Sequence, residues 1–234
     1  MSLFTAAPKL ARTLAGMGCS VLRAPFALLA PFVLIPGQAL TFELSLVLLD
    51  EQQQAVAGAV IEIASDQRAT ASATPAIIDQ IERRFVPMVL LVDAGQWVTF
   101  PNSDNVRHHV YSFSEIKQFS TPLYANETID PVLFDRPGIA VLGCNIHDSM
   151  VAYVYVAESA FRAVSDESGT LQISELPANP GTVSIWHPWL ATPDNRLSID
   201  VGALASAEPT NIVIPVRSPE TRFGFRALNP GAGS

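Results

Sequence analysis

From residue 40 onward the apolar positions fall in short runs separated by polar, Gly- or Pro-bearing turns, which is the pattern of β-strands. Residues 44–49 and 57–63 are two such runs, parted by the acidic and glutamine-rich loop 50–54. Residues 64–76 carry little pattern. The spacing over 77–84 suits a helical turn, but Pro87 close behind discourages a long helix, so a strand or an irregular crossing is expected there. Residues 89–92, a turn at Asp93, Ala94 and Gly95, and residues 97–100 read as a hairpin. Tyr111 and Phe113 alternate with Ser112 and Ser114 as a strand does, and 115–135 reads as loop with a short strand near 119–124. After the turn at Arg136, Pro137 and Gly138, an apolar run 139–143 enters a short loop and a second, 150–156, leaves it. Beyond Ala157 comes a smaller set: a turn at 165–170, a strand at 171–173, a turn at 176–181, and strands at 182–186 and 211–216. These elements predict an all-β chain, a Greek-key sandwich over residues 40–157 followed by a small β-sandwich module over 158–217.

The N-terminus changes how composition is read. Lys9, Arg12 and Arg23 precede an apolar run at 24–35 that Pro25 and Pro31 interrupt, and Gly37, Gln38 and Ala39 supply small residues suited to cleavage. Residues 1–39 are expected to be a secretory signal, which places the mature chain in the periplasm, and 218–234 a disordered tail. The full chain carries a net charge of −8; without those three bases, eleven basic residues face 22 acidic ones, a net −11. Nucleic acid is therefore excluded as a natural partner, while a basic redox protein fits such a surface. Cys19 would leave with the signal, so Cys144 becomes the single thiol of the mature chain and no internal disulfide can form. In an oxidising compartment a lone thiol is exposed to oxidation unless something binds it.

Candidate chemistry gathers around that thiol. Cys144, His147 and Met150 are spaced by three and three again, so one tight loop can turn all of them toward a common centre. His108 and His109 lie upstream, and three of the chain's four histidines fall in these two short segments. Taken singly, a Cys before an apolar strand and a Met after it read as core residues. One thiolate, two imidazoles and a weak thioether together suit a copper ion that changes charge while its surroundings move little. Zinc, which more often takes a fourth strong ligand, is the competing ion.

The segment from Cys144 to Met150, followed by the strand 151–156, resembles the ligand loop and last strand of the cupredoxins, the small blue-copper proteins, and within them the short loop of amicyanin. Phe100 to Val110 resembles the segment in which cupredoxins reach their first histidine ligand. The resemblance, of an exported methylamine-utilization type with an added C-terminal module, implies one type 1 copper held by His108, Cys144 and His147, with Met150 axial. His109 stands where the family carries an Asn that ties the two ligand segments. His108 is preferred over His109 because Val110 then keeps its place two positions on. The module past Ala157 resembles transthyretin-like and carboxypeptidase-regulatory sandwiches.

The function implied is that of a one-electron carrier that transforms no substrate, with an amine-oxidising dehydrogenase as donor and a c-type cytochrome as acceptor on the amicyanin likeness. The alternative is a copper-binding or sensing module attached to an interaction domain. An enzyme reading, with Cys144 as nucleophile and His147 as base, leaves Met150 without a role. Trp186, His187, Pro188 and Trp189 form either a partner-docking patch or a redox relay or, as preferred, aromatic rings covering the seam between two sandwiches beside an ordinary polar histidine.

Overall fold

The computed structural model describes residues 41–125, 129–177, 181–200 and 209–217. The expected signal 1–39 and tail 218–234 lie outside the described residues. In chain order the strands are β1 (Thr41–Leu49), β2 (Val60–Ile63), β3 (Ala76–Ile77), β4 (Asp79–Ile81), β5 (Arg84–Val86), β6 (Val89–Asp93), β7 (Gln96–Thr99), β8 (Val110–Ser114) and β9 (Lys117–Ser120). They continue with β10 (Val132–Phe134), β11 (Gly138–Cys144), β12 (Val151–Ala157), β13 (Arg162–Val164), β14 (Thr170–Pro177), β15 (Thr182–Trp186), β16 (Arg196–Asp200) and β17 (Thr210–Val213). One turn of 3-10 helix, Pro193–Asn195, is the helical element among the described residues, so the chain is all-β. No helix of the described residues is long and apolar enough to cross a membrane.

Two cores organise these strands. One lies between the sheet β6-β12-β11-β8-β9 and the sheet β10-β7-β3, and is filled by Val92, Val98, Phe134, Leu142, Val154 and their neighbours. The alternation of β11 shows how it is built. Ala140, Leu142 and Cys144 face inward and are buried, whereas Val141 between them faces out. Period two therefore carries the thiol into the same core as the leucine before it. Strand β12 runs antiparallel to β11 and puts Ala152, Val154 and Val156 on the same inner face.

The second core lies between the sheets β14-β1-β17 and β13-β2-β15-β16. It holds Leu44, Leu46 and Leu48 from β1, Ile61 and Ile63 from β2, and apolar residues of β14, β15 and β17. Strand β1 pairs antiparallel with β14 and parallel with β17, and β2 lies between β13 and β15. The expected cut at 157/158 puts β1 and β2 with the strands around Cys144; their hydrogen bonds put them with the C-terminal ones.

A second difference concerns residues 89–100. Strands β6 and β7 do form, but they do not make the expected hairpin. Strand β6 runs parallel to β12, while β7 pairs with β10 and β3 in the opposite sheet. The turn at Asp93 to Gly95, with Gly95 at φ 92, is a corner between sheets, and the Gly95 N–H donates to the Phe134 carbonyl at 2.8 Å. Residues 77–86 resolve into β3 and the hairpin β4–β5, in line with the expected strand.

Between the two cores, Val60, Val89, Tyr155, Ala157 and Trp186 pack in a third apolar cluster. The Glu62 carboxylate accepts from the backbone N–H groups of Glu158 and Ser159, both at 2.6 Å, and from the Tyr155 hydroxyl at 2.8 Å. Trp186 thus covers the seam, as expected of the aromatic cluster near it. His187, expected to be an ordinary polar histidine, is instead buried at 2% exposed; it sits edge-on to Trp189, whose backbone N–H donates to its Nδ1 at 3.3 Å.

Candidate metal centre

Cys144 ends β11, opposite Val110 at the start of β8, and this pair, with Gly143 opposite Tyr111 beside it, brings the two distant segments together. His108 stands two residues before Val110. Its N–H and carbonyl pair with the carbonyl and N–H of Tyr124, at 2.9 and 3.0 Å, so its backbone is fixed although it lies outside a strand. The Tyr124 hydroxyl donates to the Phe100 carbonyl at 2.6 Å and accepts from the Gln80 amide at 2.5 Å. Burial pushes that phenol up to about 12, only partly countered by the Gln80 hydrogen bond, so it stays protonated and keeps donating.

Neighbouring residues on extended backbone point opposite ways, so His108 and His109 cannot both face Cys144. His108 faces it: the ring is fully buried, with Nδ1 3.8 Å from Cys144 Sγ. The His109 ring faces away, its Nε2 2.8 Å from the Ser120 hydroxyl and its face against Tyr111.

The loop from Asn145 to Ser149 is closed by two backbone bonds. Met150 N–H donates to the His147 carbonyl at 2.9 Å, and Cys144 N–H to the Met150 carbonyl at 3.2 Å. This turn carries the half-buried His147 back over the thiol, with its Nδ1 3.9 Å from Cys144 Sγ and 3.2 Å from His108 Nδ1. Met150, 1% exposed, is buried in the core that holds Cys144. Gly143 leaves room for this arrangement on the outer face, because a Cβ there would meet the Tyr111 ring at 2.8 Å.

Asp104 is a residue that motif and spacing did not single out. Its carboxylate lies 2.7 Å from His108 Nε2 and accepts the N–H groups of Glu82 at 2.7 Å and Arg83 at 2.8 Å. Burial acts to raise its pKa, but the hydrogen bonds from Arg83, His108 and Glu82 outweigh that and hold it below the usual 3.8. A carboxylate only accepts, so His108 carries its proton on Nε2 and turns the Nδ1 lone pair toward the thiol. Burial, and then repulsion by neighbouring basic groups, depresses the pKa of His147 against an opposing pull from Asp104.

The donor set fits a single soft or borderline cation. Among the described residues, His108, Cys144 and His147 form the one group of His, Cys and acidic side chains compact enough to hold a metal ion, their donor atoms lying within 4.8 Å of one another. Spacings of 3.2 to 3.9 Å let one ion reach all three with bonds of about 2.0 to 2.3 Å. Three lone-pair donors facing one another repel unless a cation or shared protons lie between them.

No protein-family model matches this sequence, and no curated protein matches it. Solved structures do. A Cu-containing nitrite reductase (NirK) from Thermus scotoductus SA-01 matches at 23% identity over 42% of this chain, with a TM-score of 0.35; the match spans 25% of that protein's length. A purple cupredoxin from Nitrosopumilus maritimus matches at 23% identity over 35% of this chain and 99% of its own, with a TM-score of 0.33. A single-site mutant of amicyanin in its reduced Cu(I) form matches at 19% identity over 42% of this chain and 98% of its own, with a TM-score of 0.34. At these identities and scores, the functional reading rests on the side chains themselves.

Proposed function

We propose that this protein is an exported mononuclear type 1 copper protein that carries single electrons and transforms no substrate. The observation that carries this reading is the convergence of Cys144 Sγ and two imidazole Nδ1 atoms, from segments 36 residues apart, at 3.2 to 3.9 Å. Copper would be held by His108, Cys144 and His147, with Met150 as a weak axial donor; bound there, it would supply a one-electron couple. His147, half-buried and next to the exposed Ile146, is the edge through which an electron would reach a partner. The β-sandwich behind the site favours a ligand geometry that changes little with oxidation state. A redox protein is the partner, an amine-oxidising dehydrogenase as donor and a c-type cytochrome as acceptor. We assign residues 1–39 to a signal peptide and the periplasm to the mature chain. The module is read as 41–63 together with 158–217, with the metal sandwich inserted between them.

The test is to add Cu(II) to the metal-free protein and record the visible spectrum. An intense thiolate-to-copper charge-transfer band is expected; Cys144→Ser abolishes it, and Met150→Leu keeps it while raising the potential, since a donor to the oxidised ion is lost. Tight colourless Zn(II) binding with no band would overturn the carrier reading. Slow electron self-exchange in a protein that shows the band would favour copper storage or sensing instead.

A further inference from the structure

We propose that Asp104 is the positioning residue of this centre: its carboxylate fixes the tautomer and orientation of His108 and ties that ligand to the turn of the β4–β5 hairpin. The proposal deepens the metal-centre reading and rests on it. Two carboxylate oxygens serve three donors. One accepts from Glu82 N–H, and the other faces both Arg83 N–H and His108 Nε2. The Asp104 side chain is 12% exposed and that of His108 fully buried, so this is a bond made out of solvent, where a charged acceptor counts for more than in water.

The turn explains why a carboxylate is needed. Glu82 and Arg83 both adopt left-handed backbone, with φ of 51 and 59. Two consecutive residues with side chains in that conformation cost about 1 kcal/mol or more each. Their N–H groups point the same way and need an acceptor, which Asp104 supplies. Asp104 is in turn held from behind. Its own N–H donates to the Asn102 side chain at 3.0 Å, and the Asn102 amide donates to the carbonyls of Val106 at 2.9 Å and Tyr124 at 3.1 Å. Asp79 grips the same loop from the hairpin side, accepting the Ser103 hydroxyl at 2.7 Å. Backbone bonds between Gln80 and residues 101 and 103 complete the attachment.

His108 is therefore held on two sides, by Tyr124 through its backbone and by Asp104 through its ring. His109 occupies the position of the Asn that the cupredoxin likeness expects as a tie between ligand segments, and it binds Ser120. On the His108 side, Asp104 provides a tie of a different kind. Partners of this sort orient a ligating imidazole and raise its basicity, and losing one typically lowers metal affinity about 10- to 100-fold.

The test uses the full chain and the variants Asp104→Asn and Asp104→Ala. In the metal-free wild type at neutral pH, imidazole nitrogen NMR should show His108 with its proton on Nε2; Asp104→Ala should convert it to a mixture of tautomers. Co(II) and Zn(II) affinities should fall about 10- to 100-fold in both variants. Cu(II) affinity should fall more than Cu(I) affinity, and each tenfold difference appears as about 59 mV of raised potential. If Asp104 merely supports the turn, amide exchange at Glu82 and Arg83 will accelerate while the tautomer and the Cu(II)/Cu(I) affinity ratio stay as in the wild type; that result overturns the proposal. A chain that binds only Zn(II) refutes the carrier reading and leaves the tautomer and Zn(II) measurements decisive for Asp104. The unfolding midpoint of metal-free Asp104→Asn shows whether that variant is folded, and it retains one acceptor oxygen for the turn.

Discussion

His187, like His109, stands apart from the His108–Cys144–His147 cluster, and its burial makes a pH prediction. Burial depresses its pKa from 6.5 to about 4, with a hydrogen bond to the Ala57 backbone opposing in part. Between those two pH values the unfolded chain binds a proton that the folded one refuses. The stability due to neutral burial is thus complete above pH 6.5, declines as pH falls and is gone below pH 4. At about 1.36 kcal/mol per pKa unit, the loss over that window is about 3 kcal/mol. Denaturant unfolding of metal-free protein at pH 7 and pH 4.5 should show a steeper loss for the wild type than for His187→Gln; equal losses would contradict it. The grouping of His108, Cys144 and His147 was legible in sequence for a different reason. A lone Cys with His and Met at equal spacing, and an upstream histidine pair, are scarce residues placed together, and scarcity is visible in one dimension. Asp104 was not legible: it is one acidic residue among 22, four positions before His108, and only the folded loop aims it at Nε2.

Strand β12 shows how one element serves two cores. Its inner row, Ala152, Val154 and Val156, packs beneath Cys144, while its outer row carries Tyr153 and Tyr155 against Trp186, with ring centroids at 5.6 Å in both pairs. The Tyr155 hydroxyl also accepts from Arg196 at 3.0 Å. Removing the indole empties the outer side and leaves the inner side intact. Trp186→Ala is expected to cost about 3 to 5 kcal/mol of stability and to leave the copper charge-transfer band unchanged in energy. Parallel calorimetry and visible spectra check this, and a band shift comparable to that of Met150→Leu would show that the seam and the site are not separate. The elements themselves were largely readable, because alternation in β8 and β11 and the runs in β1, β2 and β12 reflect one buried face each. Their partners were less so. A turn at Asp93, Ala94 and Gly95 looks the same whether the chain doubles back beside itself or crosses to the facing sheet, and only the distant β12 and β10 decide which.

At the scale of the whole molecule, nearness along the chain groups the strands one way, and hydrogen bonding groups them otherwise. Leu44, Leu46 and Leu48 on β1 are buried against β14 and β17, residues more than a hundred positions away, and Ile61 and Ile63 on β2 against the same C-terminal core. No local signal distinguishes an apolar strand that packs on its sequence neighbours from one that waits for the far end of the chain. Along the chain, the strands around Cys144 then fall between the two groups of strands that build the other core, and the Trp186 cluster and the Glu62 hydrogen bonds join the two cores. A fragment ending at Ala157 would keep every proposed metal ligand and strip β1 and β2 of their partners. Those five large apolar side chains would meet water, and at roughly 1.5 to 3 kcal/mol for each the loss is comparable to all that a domain of this size holds in reserve. Residues 40–157 are therefore expected to unfold without a cooperative transition or to associate through β1. Residues 40–217 should unfold cooperatively, and a fragment from residue 74 to 157, which lacks the unpartnered strands, should be better behaved than 40–157 despite being shorter. Denaturant unfolding and light scattering on the three chains decide it, and a sharp, monomeric transition for 40–157 would show that β1 and β2 can belong to the metal sandwich after all.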